Sequence, residues 1–239
     1  MTHFSPGFIT PSGPIVPFSL SLNGTSQYLY KTGGTAGNLD KHVARAIVKR
    51  GSTGSLQVVM AAGSSANTGE LRFNADDTIS WFVKIPSGTG HLQTTATYTS
   101  TTEWYDIQGI FDSGQATAAD RMSLYIDGTK VTSFATETYP ALNANGYFTS
   151  DETWAIGSSS DTFGTKLFNG NIADVLILDN SNETPTNIYG PKDTSGLTFG
   201  TQGARFDFAD SGNLGNCVAG NLVDYTNAGS ATQSTDSPG

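Results

Sequence analysis

Arg121-Met-Ser-Leu-Tyr-Ile-Asp127-Gly128-Thr-Lys-Val-Thr-Ser-Phe134 is the stretch whose reading decides the fold. Met122, Leu124 and Ile126 fall on one side of an extended chain, and Arg121, Ser123, Tyr125 and Asp127 on the other. That period is two, so the segment is a strand with one apolar face. Asp127-Gly128 supplies the positive φ values that a two-residue hairpin turn requires. The spacing therefore predicts a β-hairpin laid against a core.

The same alternation extends outward in both directions. Upstream, Trp104–Asp112 places Tyr105, Ile107, Gly109 and Phe111 on one face, and Leu71/Phe73 with Ile79–Lys84 form a second hairpin around Asn74–Asp77. Phe18, Leu20 and Leu22 alternate ahead of an Asn23-Gly24 turn, Tyr28 and Tyr30 follow, and His42–Arg50, Leu56–Ala62 and the Thr-rich Leu92–Tyr98 read as further strands. Downstream, Trp154–Gly157, Leu167–Asp179 and Ala204–Ala209 continue the series. Strand signals recur at roughly ten-residue intervals, as a sandwich requires, and no stretch longer than a turn or two has a helical period. The expected fold is all-β, an antiparallel β-sandwich.

Two flanks differ from this middle. Residues 1–17 hold Pro6, Pro11, Pro14 and Pro17 among Phe4, Phe8, Ile9, Ile15 and Val16. Proline fixes φ and removes a donor, so an extended apolar arm is expected, lying on this domain or on a neighbouring subunit. Residues 210–239 are rich in Gly, Asn, Ser and Thr, with Leu214, Leu222, Val223 and Tyr225 as the main apolar groups. So little apolar surface predicts a tail ordered only by something else that holds it. The domain plan is thus arm 1–17, sandwich 18–209 and C-terminal segment 210–239.

Composition narrows the function. In 239 residues there are 12 Lys+Arg against 21 Asp+Glu, a net charge of −9, which disfavours binding to nucleic acid. No apolar run reaches the roughly 20 residues of a membrane-spanning helix. The N-terminus lacks the basic start and apolar segment of a secretory signal, so synthesis in a cytoplasm is expected. The single cysteine, Cys217, leaves no internal disulfide and no multi-cysteine zinc site.

The order of the segments resembles the concanavalin A-like (laminin G-like) jelly-roll superfamily. The resemblance is carried by Phe18–Leu29, the Trp104-Tyr-Asp-Ile strand, the Arg121–Gly128 hairpin, Trp154-Ala-Ile-Gly157 and Leu167–Leu178. It is closer still to lectin-like modules in structural proteins of marine tailed phages. There the matching parts are Lys49-Arg50-Gly51, Asp120–Gly128, Phe168–Val175, Phe206-Asp-Phe-Ala-Asp-Ser-Gly-Asn-Leu-Gly215 and the closing Gln233–Pro238. Ala46 and Val48 depart from the pattern, standing where the family carries bulkier aromatics.

This resemblance implies a virion structural protein, a capsid decoration, head-fibre or tail-fibre component. Its sandwich would be exposed on the particle, its arm and tail gripping other virion proteins in a homo-oligomer, with a trimer the first expectation. The alternative is a carbohydrate-binding module that attaches to a host-surface glycan. For that role the exposed-loop candidates are Tyr139, Asn143, Asn145 and Tyr147, two tyrosines with planar amides between them. Relatives of this superfamily often hold calcium at one rim, and the corresponding carboxylates here are Asp151 and Asp161, with Asp76, Asp77, Glu152, Asn169 and Asn171 as further oxygen donors.

A glycoside hydrolase is the third reading and the weakest. Retaining enzymes need two carboxylates about 5–5.5 Å apart, and laminarinase-type relatives carry them as Glu-x-Asp-x-x-Glu. None of Glu70, Glu103, Glu137, Glu152 and Glu183 begins that pattern, and His3, His42 and His91 stand apart from one another. No catalytic residue is expected.

Overall fold

A computed structural model describes residues 16–86, 88–185, 194 and 196–238. It contains two antiparallel sheets. Numbering the strands in chain order, the nine-stranded sheet is built from β1 (Ser19–Asn23), β3 (Lys41–Arg50), β8 (Tyr105–Asp112), β9 (Met122–Ile126), β10 (Thr129–Lys130), β13 (Asn169–Asp179), β14 (Ala204–Phe206), β15 (Ala219–Gly220) and β17 (Thr232–Ser234). Its order is β10-β9-β8-β3-β13-β1-β17, with β14 and β15 alongside β13. The eight-stranded sheet holds β2 (Tyr28–Thr32), β4 (Gln57–Ser64), β5 (Asn67–Phe73), β6 (Thr78–Ile85), β7 (Gly88–Thr97), β11 (Phe134–Thr138), β12 (Thr153–Ile156) and β16 (Thr226–Ala228). They run β11-β7-β6-β5-β4-β12-β2-β16. One 3-10 turn, Ala118–Asp120, lies between β8 and β9, and no helix of the described residues is long and apolar enough to cross a membrane.

The deciding hairpin forms as its sequence predicts, with Asp127 at φ 49° and Gly128 at φ 74° between β9 and β10. Its second arm is shorter than expected. Val131 N still donates to Leu124 O at 2.9 Å; the chain then leaves the first sheet, and Phe134 pairs with Thr94 in the other. The Thr-Ser that reads as more strand is the crossing.

Between the sheets lies one continuous core. Leu20, Leu22, Ala44, Ala46, Val48, Tyr105, Ile107 and Phe111 come from the first sheet, and Leu29, Leu71, Phe73, Ile79, Trp81, Val83 and Leu92 from the second. The small residues on the inner face of the first sheet have a partner in Trp81. Ala44 lies beside Gly109 in the pairing of β3 with β8, and a Cβ on Gly109 would fall 2.5 Å from the Trp81 ring. The indole Nε1 crosses to donate to Ile110 O at 3.2 Å. Bulk missing from β3 is thus supplied from across the sandwich, consistent with the tight packing of protein interiors.

The C-terminal segment corrects the expectation made for it. It is held by this chain's own sandwich: β16 pairs with the edge strand β2, and β17 with the edge strand β1. Leu214, Leu222, Tyr225 and Ala231 enter the main core, Tyr225 meeting Phe206 at 4.6 Å between ring centres. Backbone pairing supplies what apolar content could not, since capping two sheet edges satisfies donors and acceptors that would otherwise be left open. Residues 1–15 of the arm lie outside the described residues. Val16, near its end, is buried with Ile47, Ala173 and Trp104 on the outward side of the nine-stranded sheet.

Candidate functional site

The two outward faces differ sharply. On the nine-stranded sheet, Arg45 joins Asp106 and Asp174, and Arg205 Nε reaches Asp174 Oδ1 at 2.9 Å. Beside this network Val43, Ile110, Leu176 and Leu178 are buried under Leu197 and Phe199. That face is closed. Asp112 sits on it, accepting from Gln115 Nε2 and Asn182 Nδ2. Asp106 is committed to Arg45, so neither behaves as half of a hydrolytic pair.

The eight-stranded sheet presents a cross-strand row with one residue from each strand. It runs from Thr138 and His91 through Phe82, Glu70, Ala61 and Ala155 to Tyr30 and Thr226. Directly opposed residues in antiparallel pairs share a face, so these side chains all point away from the core. At the centre the row is small and covered. The segment joining β12 to β13 returns over it, and fully buried Glu70 accepts from Lys166 Nζ at 2.7 Å, Ser159 Oγ at 3.2 Å and Arg72 Nη1.

Each end of the row carries half-buried rings. At one, Tyr28, Tyr30 and Phe163 form a triad with ring centres 5.0 to 6.0 Å apart. At the other, the Arg72 guanidinium lies 4.5 Å over Phe82, and His91 meets the same ring edge-on at 5.2 Å. His91 Nε2 and Ser80 Oγ are 2.9 Å apart, and Asn74 Nδ2 donates to Ser80 at 2.8 Å. Burial, aided by the Arg72 charge, lowers the His91 pKa, so the ring is held neutral. Aromatic surface beside fixed planar donors and acceptors is what a sugar ring needs: C–H faces for the rings and hydroxyls for the polar groups.

The residues picked from sequence are placed elsewhere. Asn143 and Asn145 are exposed on the 139–148 loop, as expected of a loop site. Their tyrosines are not free: Tyr139 and Tyr147 pack against the core, and Tyr139 donates to Glu137 Oε1 at 2.6 Å. Burial and that carboxylate push the Tyr139 pKa up to about 12, while burial and Glu152 raise that of Tyr147. Asp151 is exposed, and Asp161 accepts from Ser159 Oγ. Asp77 is bound by Arg50 and Gly54 N, Asp76 by Thr78, and Asn171 by Ser19. Among the described residues no three His, Cys, Asp or Glu gather into a metal-holding group.

Arg72, Phe82 and Phe163 were missed. Phe82 left a signal: in Ile79-Ser-Trp-Phe-Val-Lys84 it is the one aromatic on the strand's polar side. Phe163 left none, because its place depends on how the 157–168 segment folds back.

Residues 24–185 match the family model described as the concanavalin A-like lectin/glucanases superfamily. None of the curated proteins matches the chain. Among solved structures it is similar to a Bacteroides ovatus protein named for carbohydrate binding, at 15% identity and a TM-score of 0.60, over 92% of this chain and 60% of that one. It is also similar to the fourth domain of an extracellular arabinanase from Geobacillus stearothermophilus in complex with arabinotriose, at 17% identity and a TM-score of 0.50, over 71% and 74%. A heptameric pentraxin of Limulus polyphemus gives 14% identity and a TM-score of 0.50, over 72% and 81%. Identities this low establish the fold alone. The family match spans more than half of the sequence, and the strand order agrees with it: this chain belongs to the concanavalin A-like lectin/glucanases superfamily.

Proposed function

We propose that the chain is a non-catalytic carbohydrate-binding module whose ligand lies on the outward face of the eight-stranded sheet. The observation that carries this reading is the contrast between faces. One is sealed by ion pairs and apolar cover, while the other sets half-buried rings among fixed amide, hydroxyl and guanidinium groups. The arabinotriose complex of the similar arabinanase domain and the naming of the Bacteroides ovatus protein for carbohydrate binding support it. The test is a glycan array read with the intact protein, Phe82→Ala and Tyr30→Ala, alongside turnover assays on laminarin, carrageenan and alginate. Glycan retention that drops at least tenfold in a variant, with no turnover, is the expected result. Retention unchanged in both variants refutes the face, and turnover refutes the non-catalytic assignment.

A second reading sets this module on a tailed-phage particle as a structural protein. It is supported by the Phe206–Gly215 and Gln233–Pro238 segments. It draws no support from the C-terminal segment as a grip on neighbours, because that segment completes the chain's own sheets. The apolar residues 1–15 are then the element that meets other virion proteins or sister chains. Light scattering of the full chain and of a variant lacking residues 1–17 checks this: a trimer reduced to a monomer is expected, and a monomer in both cases argues against it.

A further inference from the structure

A second cleft, remote from the ringed face in kind, opens where the end of β2 meets the C-terminal segment. Its volume is about 650 Å³, and its walls include Lys31, Gly34, Gln202, Asn221, Leu222 and Val223. Lys31 points inward from β2, with its ammonium 4.2 Å over the Trp154 ring and the residue only 9% exposed. No carboxylate among the described residues pairs with it. Burial lowers its pKa, as expected of a cation lacking a counterion.

Gln202 stands beside it. The residue is 2% exposed, and its Oε1 has no hydrogen-bond partner among the described residues. A Cβ on Gly34 would lie 2.9 Å from Lys31 Nζ and 3.0 Å from Gln202 Nε2, so the two head groups come together against this glycine. A buried polar atom without a partner is costly, and the same carboxamide turns its Nε2 towards Gly34 and Lys31 at the cleft.

We propose that this cleft is a binding subsite for one acidic sugar unit carrying a carboxylate or a sulfate ester. Lys31 meets the anion, the Gln202 carboxamide meets a sugar hydroxyl, and Leu222 with exposed Val223 forms the wall for the C–H face. One cation lines the cleft, in a chain of net charge −9. That favours a single negative charge on an otherwise neutral, hydroxyl-rich body over a phosphate dianion or a polyanion. The sugar half of the assignment rests on the carbohydrate-binding reading above; the anion half rests on Lys31 and Gln202 alone. The C-terminal segment is part of the site, since it supplies Asn221, Leu222 and Val223.

The experiment titrates the full chain with glucuronate, galactose 6-sulfate, neutral galactose and inorganic sulfate, by calorimetry and by tryptophan emission. Trp154 reports because its ring lies under the ammonium. One or both acidic sugars should bind at least tenfold more tightly than galactose or inorganic sulfate, and which of the two does so separates a carboxylate source from a sulfate source. Lys31→Met keeps the stem over Trp154 and removes the charge, so it should abolish that preference without lowering the melting temperature. Gly34→Leu should block the cleft while Lys31 keeps its charge. Phe82→Ala serves as the control: acidic-sugar binding that survives it belongs to the cleft and not to the ringed face. Equal binding of galactose, inorganic sulfate as tight as the sugars, or acidic-sugar binding unchanged in Lys31→Met would each overturn the proposal.

Discussion

Arg45 holds Asp106 through two parallel hydrogen bonds, Nε to Oδ1 at 2.8 Å and Nη2 to Oδ2 at 2.7 Å, on the outward side of the nine-stranded sheet. Its remaining nitrogen Nη1 reaches Asp174 Oδ2 at 3.0 Å, and the Arg45 side chain is 2% exposed. An arginine fork matched to a carboxylate is the strong form of this contact. Removing one partner of a buried pair leaves the other charge uncompensated, at a cost of about 3–5 kcal/mol. Arg45→Met should therefore lower the unfolding free energy by that amount, read as a lower urea midpoint with an unchanged slope. A loss below about 1 kcal/mol would mean that water reaches the two aspartates.

Acid should weaken the fold earlier than carboxylate titration alone predicts. His42 is fully buried, stacked on Phe111 at 4.9 Å, and neither ring nitrogen has a hydrogen-bond partner among the described residues. Burial lowers its pKa from 6.5 to about 3. The fold keeps the ring neutral, while the unfolded chain takes up a proton below pH 6.5. Its contribution is thus complete above 6.5 and is lost as pH falls towards 3, with a slope approaching 1.4 kcal/mol per unit, roughly. His91, lowered in the same direction, adds to that loss. Denaturant titrations from pH 7 to 5 should show the decline, and His42→Phe should flatten most of it; curves that stay parallel disprove the assignment.

Gly109 is required for packing. A methyl group there would sit 2.5 to 2.8 Å from three atoms of the Trp81 ring, which is itself pinned by Phe148 at 5.1 Å and by its bond to Ile110 O. Gly109→Ala should cost about 1–3 kcal/mol through overpacking. Gly114→Ala, whose added carbon meets just Asp112 Oδ1 at 3.6 Å, is the matched control and should stay within about 0.5 kcal/mol of the parent.

Glu70 anchors the segment that covers the centre of the ringed face. Glu70→Gln keeps the shape but weakens the contacts to Lys166 and Arg72, so residues 157–168 should exchange amide hydrogens faster, with a stability loss of about 1–3 kcal/mol. Phe163 should loosen from Tyr28 and Tyr30 in the same variant. Unaltered exchange in this segment would show that Glu70 does not hold it.

Much of the sandwich was legible before any coordinates, for a local reason. A period of two needs only neighbouring residues to be read, so β5, β6, β8, β9 and β13 could be placed from alternation and turn residues alone. Non-local pairing could not. β16 and β17 are three-residue strands without apolar alternation, and they exist because β2 and β1 offer open edges some 200 residues earlier in the chain. The candidate sites divide in the same way. Asn143 and Asn145 were legible as an exposed loop, but the burial of Tyr139 and Tyr147 depends on distant core residues.

By itself the sequence determined the layer type, the facing of each long strand and the Asp127-Gly128 turn, because those follow from side-chain alternation and from which residues accept positive φ. The tertiary structure alone decided which face stays open, what covers Glu70 and where Lys31 meets Gln202. The last two relations join residues about 90 to 170 positions apart, and only the pairing of sheets and the return of connecting segments bring such groups within a few ångströms.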